Sequence, residues 1–337
     1  MRLARGLSVA LLALAGVVVS ASGPATTVAS AATGCPAQTL AIPGTAATPN
    51  FSDPFGTAVD SAGNIYVADM NTNSVYKFDA TGAPLMTIAP TAATPNLSDP
   101  QGIAVDSTGN IYVAVRDNSD IIKFNAAGTQ VMEIPKTNAT PNLDFPEGVA
   151  VDSAGNVYVS DEGSERLYRF DSSGTQTLAI NHSAATPDMG ESEGIAVDSA
   201  GNIYATSFTN NFVYRFDSTG TQTLAIDPST TTPNVSDPIG IGVDSSGNIY
   251  VADEGTQSVF RFDSTGTQTL NIPKTAATPN FSGPIGLAVD ASRNVYVTDE
   301  GSLTTYRFCT VDTPAPTPTS TTETAAQPVA VVPAFTG

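Results

Sequence analysis

Six copies of a 46-residue unit follow one another in fixed register, their opening glycines at Gly56, Gly102, Gly148, Gly194, Gly240 and Gly286. No unit of this length buries a core alone, so a strict period forces a stacked-repeat architecture on the 337-residue chain. A domain count from length alone would suggest two domains, and the period overrides it.

Each unit holds four short runs rich in Val, Ile, Tyr, Phe and Thr, the residues that suit a pleated surface. They are exemplified by Gly102 to Asp106, Asn110 to Val113, Leu167 to Asp171 and Thr175 to Ile180. Tetrads of the type Asp-Ser-x-Gly join the first run to the second and the third to the fourth. Asp bonds the backbone of its own turn, and Gly takes the positive φ that closes a hairpin. The second run is apolar at successive positions, which means a strand covered on both faces. A four-stranded antiparallel sheet covered on both faces and repeated radially is a propeller blade. The sequence thus predicts an all-β, six-bladed β-propeller.

The last unit stops after its third run, at Tyr306 to Phe308, and has no fourth. Residues Ala37 to Pro43 align with Thr267 to Pro273, five periods on, so the N-terminal strand is expected to complete the last blade and remove the open sheet edge. Cys309 has the phase of Asp263 and Cys35 that of Thr265, positions that face each other across a tight turn in an intact blade. A Cys35–Cys309 disulfide in place of that turn is within normal reach. It would be worth about 4–5 kcal/mol by chain entropy.

The pattern Pro-x-Gly-Ile/Val-Ala-Val-Asp-x-x-Gly-Asn-Ile/Val-Tyr-Val-x-Asp, followed by Val/Leu-Tyr-Lys/Arg-Phe-Asp-x-x-Gly, resembles the NHL repeat over roughly residues 37–309. The resemblance implies a six-bladed propeller similar to the extracellular sensor domains of some bacterial serine/threonine kinases and, at the level of fold, to streptogramin lyase. Fold does not transmit activity.

Three segments are expected: a signal peptide over 1–31, the propeller over 35–309 and a Pro/Thr-rich stalk over 310–337. Met1 to Arg5 form a charged n-region, and the apolar run from Gly6 to Val19 is short for a membrane span. Cleavage after Ala31 or Ala32 is favoured over retention as an anchor. The chain is then secreted or cell-wall associated, in a compartment that permits the disulfide. Loss of Arg2 and Arg5 takes the formal charge from −19 to −21. Such acidity argues against nucleic acid and anionic membrane surfaces, which select basic patches.

Residues that recur in every unit read as structure. The tyrosines of the Tyr66 phase and the phenylalanines of the Phe78 phase are expected to pack between blades. Lys77, Lys123, Arg169, Arg215, Arg261 and Arg307 form a ring of cations expected to pair with nearby carboxylates. Function is sought where the units differ. The residue before the opening glycine is Phe55, Gln101, Glu147, Glu193, Ile239 and Ile285 in turn, which gives the axial channel an acidic and an apolar half. After the second run, the Asp of the Asp69 phase is replaced at Val115 and Ser207, next to Arg116 and Phe208. Gln101, Glu147, Glu193, Arg116 and Phe208 are therefore the candidate ligand-binding residues. Glu147 and Glu193 would share a divalent cation such as Ca2+, or a proton.

No motif requires a cofactor. The single histidine, His182, lies in an inter-blade loop, and no Ser-His-Asp set is evident. The favoured reading is a monomeric binding or scaffold propeller for an extracellular protein, peptide or glycan. The alternative is a metal-dependent hydrolase or lyase using the channel-mouth carboxylates.

Overall fold

The computed structural model describes residues 36–47, 50–90 and 97–310. The signal segment, Cys35 and the stalk beyond Thr310 lie outside the described residues. Among those described, 24 strands form six four-stranded antiparallel sheets around a common axis. In blade one the strands are Pro54–Val59, Ile65–Asp69, Ser74–Phe78 and Pro84–Ile88, from the axis outward. The second strand of each blade is buried along its whole length, as its unbroken apolar run requires, whereas the outermost strands of blades one to five are partly exposed.

The hairpin tetrads behave as the residue chemistry dictates. Asp60 Oδ1 accepts from the backbone N–H groups of Ala62 and Asn64, and Gly63 takes a φ of 80°. Asp60 Oδ2 accepts from the Asn64 amide and the Tyr66 hydroxyl. Burial opposes the charge on Asp60, but these donors outweigh it and hold the carboxyl below its ordinary range. Tyr66 itself packs into the seam with blade two, among Ile103, Val113 and Phe124. An aromatic buried this way contributes about 1.5–3 kcal/mol.

The inner strands of neighbouring blades approach so closely that only glycine fits the opening position. A Cβ on Gly56 would collide with the Gln101 carbonyl, and the same clash recurs around the axis to Gly286 against the Phe55 carbonyl. These strands begin two residues before the first sequence run. Strand one of blade two is Pro100–Val105, and its pairing with Ile111–Val115 shifts register between Pro100 and Ile103. The irregularity falls on Gln101, and its counterparts fall on Glu147 and Glu193.

The ring closes as the phase predicts. Ala37–Pro43 pairs with Thr304–Cys309 as the outermost strand of the sixth blade. The substitute strand reproduces the contacts of an unbroken blade. Arg307 Nε donates to Thr39 Oγ1 at 2.9 Å, as Arg261 does to Thr269. Gln38 Oε1 accepts from the Thr278 N–H, as Gln268 does from Thr232.

The ring of cations departs from expectation. Among the described residues, Arg169, Arg215, Arg261 and Arg307 do not pair with carboxylates. Each donates Nε to an outer-strand threonine and Nη1 to a turn carbonyl of the next blade, at Ser218, Ser264, Thr310 and Ala80. Lys77 and Lys123 lie 5.0 and 4.8 Å from the centroids of the Tyr66 and Tyr112 rings. An arginine fork reaches across the seam to a carbonyl, and a lysine, lacking the fork, rests on the ring face.

Candidate functional site

Three positions per blade meet at the mouth of the axis. The first precedes the opening glycine. The second, two residues earlier, is Asp53, Asp99, Phe145, Glu191, Asp237 or Gly283. The third follows the second strand and is Met70, Arg116, Glu162, Phe208, Glu254 or Glu300. In every blade the N–H of the third position donates to the carbonyl of the second, so the two sets are pinned side by side. Together the three sets hold nine carboxylates and one arginine.

A cavity of about 880 Å³ opens here, on the side of blades one to four. Gln101, Glu147, Glu193 and Arg116 all line it. Phe208 does not; it packs against Phe55, Ile239 and Ile285, which close the other side of the axis as an apolar plug. The acidic and apolar halves read from the sequence are thus both present.

Arg116 crosses to the third blade. Its Nε donates to Glu147 Oε1 at 2.8 Å and its Nη2 to Glu162 Oε2 at 3.2 Å. The guanidinium lies 4.7 Å from the centroid of the Phe145 ring. Glu147 is 3% exposed. Burial, and then the Glu193 carboxylate, push its ionisation well above the usual range, although Arg116 pulls the other way. Burial also opposes charge on Arg116, but Glu147 and Glu162 outweigh it and hold the guanidinium firmly protonated. On the opposite wall, burial and the neighbours Glu300, Asp69 and Asp99 raise Asp53 to about 7. Asp99 is raised by burial and Asp117, against the pull of Arg116 and of a hydrogen bond from Gln101.

The aspartates of the Asp69 phase have another task. Asp69, Asp161, Asp253 and Asp299 are buried and accept from backbone N–H groups of the inter-blade loop, at Ser52, Asp144, Ser236 and Ser282. They anchor the loops that carry the mouth residues. His182 opens a 3-10 turn in such a loop, where burial lowers it to about 4. Among the described residues, no three His, Cys, Asp or Glu side chains converge as a group able to hold a metal ion.

Sequence reasoning missed several residues. Phe145 stands where three other blades have Asp, and it keeps a φ of 62°, costly for a bulky side chain. Ser160 and Thr206, like Thr298 of blade six, stand where blades one, two and five have alanine. Their hydroxyls accept from the N–H groups of Gly148 and Gly194 and donate to the carbonyls of Glu193 and Ile239. Phe145, Ser160 and Thr206 all depart from the repeat, and that departure is the signal the sequence carries for them.

The family model for the NHL repeat matches residues 143–170 and 236–262, within blades three and five. No curated protein matches the chain. Among solved structures, a streptogramin B lyase superposes with a TM-score of 0.58 at 16% identity, over 77% of this chain and 94% of that one. A gluconolactonase from Xanthomonas campestris gives 0.62 at 16% identity, over 86% and 99%. A catalytically inactive virginiamycin B lyase from Staphylococcus aureus with quinupristin gives 0.57 at 16%, over 78% and 83%. At such identities the likeness is one of fold.

Proposed function

We propose, for this six-bladed propeller of NHL repeats, that the chain is a secreted or wall-associated binding module whose ligand enters the cavity at the mouth of the axis. One observation carries the reading. The six units are near copies, yet at the mouth they diverge to give an 880 Å³ cavity with a buried acidic wall beside an apolar plug. Concave sites of this size with a few convergent polar groups are where small molecules and peptide side chains bind.

Secretion rests on the charged and apolar segment at Met1 to Val19. The Cys35–Cys309 disulfide is part of the same proposal. It is supported by the pairing of Ala37 with Cys309 and by the absence of a free cysteine among the described residues.

The second reading, a metal-dependent hydrolase or lyase, has the Glu147–Glu193 pair and the folds of the neighbouring enzymes behind it. The Arg116 ion pair weakens it, because that contact already occupies Glu147 Oε1. Glycan and peptide arrays on the secreted protein, with metal analysis alongside, separate the two. Capture without metal, lost in Glu147→Gln and Glu193→Gln, supports a binding module. Stoichiometric metal with turnover would replace it by the enzyme.

A further inference from the structure

We propose that the cavity recognises an organic ammonium group carrying an apolar arm, either a free amine or a lysine side chain. This rests on the cavity being a binding site and adds the chemical class of its ligand.

Two acceptors on the wall of blades one and two lack hydrogen-bond partners. Gln101 is 5% exposed and lines the cavity, yet its Oε1 accepts nothing. The Oδ1 of Asp53, on the same wall, also accepts nothing. A buried polar atom left this way costs about 1–3 kcal/mol, so a donor arriving there regains it. Asp99, hydrogen-bonded to Gln101, is a third acceptor beside them. Two open acceptors with a third, partly engaged one beside them match the three N–H donors of an ammonium. Arg116 draws on Asp99 from a distance but gives its side-chain hydrogen bonds to Glu147 and Glu162, so among the described residues no cation is bonded to Gln101 or Asp53.

The arm is indicated by what adjoins these acceptors. Phe55 and Met70 line the same cavity and continue into the apolar plug with Ile239 and Ile285. A bare divalent ion has no use for that surface, and a neutral alcohol would leave the carboxylates uncompensated.

The test is titration calorimetry of the full secreted chain with n-hexylamine, Nα-acetyl-lysine amide, n-hexanol and Ca2+. The amine is expected to bind once per chain, at least about tenfold tighter than the alcohol. Gln101→Leu and Asp53→Asn should each weaken it by about tenfold or more, with folding confirmed by circular dichroism. Tighter binding of acetyl-lysine amide than of hexylamine would identify a peptide as the source, and the reverse a free amine. Equal affinity for hexanol, unchanged binding in both variants, or displacement of the amine by micromolar Ca2+ would overturn the inference. If the amine fails while an array ligand still binds and is lost in Glu147→Gln, the ligand class is wrong and the binding site stands. If nothing of any class binds, both fall.

Discussion

Arg116 shows how one residue sets the character of the mouth. Removing it takes away the one positive neighbour of Glu147 among the described residues, and the carboxyl, buried beside Glu193, responds by holding its proton more tightly. Arg116→Met should therefore destabilise the fold by about 1.5–3 kcal/mol at pH 8, the worth of hydrogen bonds to a charged group. The loss should be smaller at pH 5, because burial and Glu193 favour the protonated carboxyl, which needs the guanidinium less. Urea denaturation at the two pH values checks this, and equal losses would contradict it. Asp53 carries the opposite signature. Its carboxyl, facing Glu300, Asp69 and Asp99, is raised to about 7, so the folded chain binds more protons than the unfolded one between the ordinary carboxyl range and neutrality. Its stabilising protonated state is complete at acid pH and lost as pH rises through about 7. Asp53→Asn should thus raise the melting temperature at pH 8 and leave it nearly unchanged at pH 4. A cation bound there in the native protein would remove the benefit at pH 8.

At the level of elements, the first strands are bound by contact rather than by side-chain burial. A Cβ on Gly194 would strike the Ile239 carbonyl of the next blade, and backbone cannot step aside as a flexible side chain can. Gly194→Ala should cost about 3 kcal/mol or more, read as a shift in the denaturation midpoint. Arg215→Met, which loses one bond to Thr223 and one to the Ser264 carbonyl, should cost about 1 kcal/mol, since both contacts are exposed. The contrast explains what sequence could and could not reveal. Glycine phase, turn tetrads and the displaced closing strand were legible because each depends on residue type at a fixed position. The arginine partners were not, because a backbone carbonyl leaves no mark in a sequence and nearby carboxylates are the obvious alternative. The early start of strand one was hidden for a related reason. The irregular pairing at Gln101 breaks the alternation from which a strand is recognised. At the mouth, variation before the opening glycine and after the second strand marks Gln101, Glu147, Glu193 and Arg116, whereas Asp53 and Phe145 belong to a loop phase two residues earlier that no strand pattern points to.

For the whole molecule, stability depends on one seam. The ring closes through backbone pairing of Ala37–Pro43 with Thr304–Cys309, the Gln38 clamp on Thr278 and the Arg307 bridges to Thr39 and Ala80. Deleting residues 1–43 would leave the third strand of blade six as an exposed edge, and such edges recruit strands from other chains. The truncated protein should elute as dimers or larger species, with the intact chain as a monomer under the same conditions. Replacing both cysteines by serine should leave the assembly monomeric and lower its stability by about 4 kcal/mol. If the cysteines are unpaired, reducing agent would leave the melting temperature of the native chain unchanged.

The same closure fixes which way the molecule faces. Cys309 ends a third strand, and antiparallel order places that end, with Thr310, at the hairpin side of the disc, opposite the mouth. The first residue of the closing strand, Ala37, lies across from Cys309 at that same rim. A tether fused to either end would hold the disc by its back, and the acidic opening would look outward. A surface coated with this protein through its tail would present the openings to the medium, whereas coupling through the mouth carboxylates would turn them to the wall.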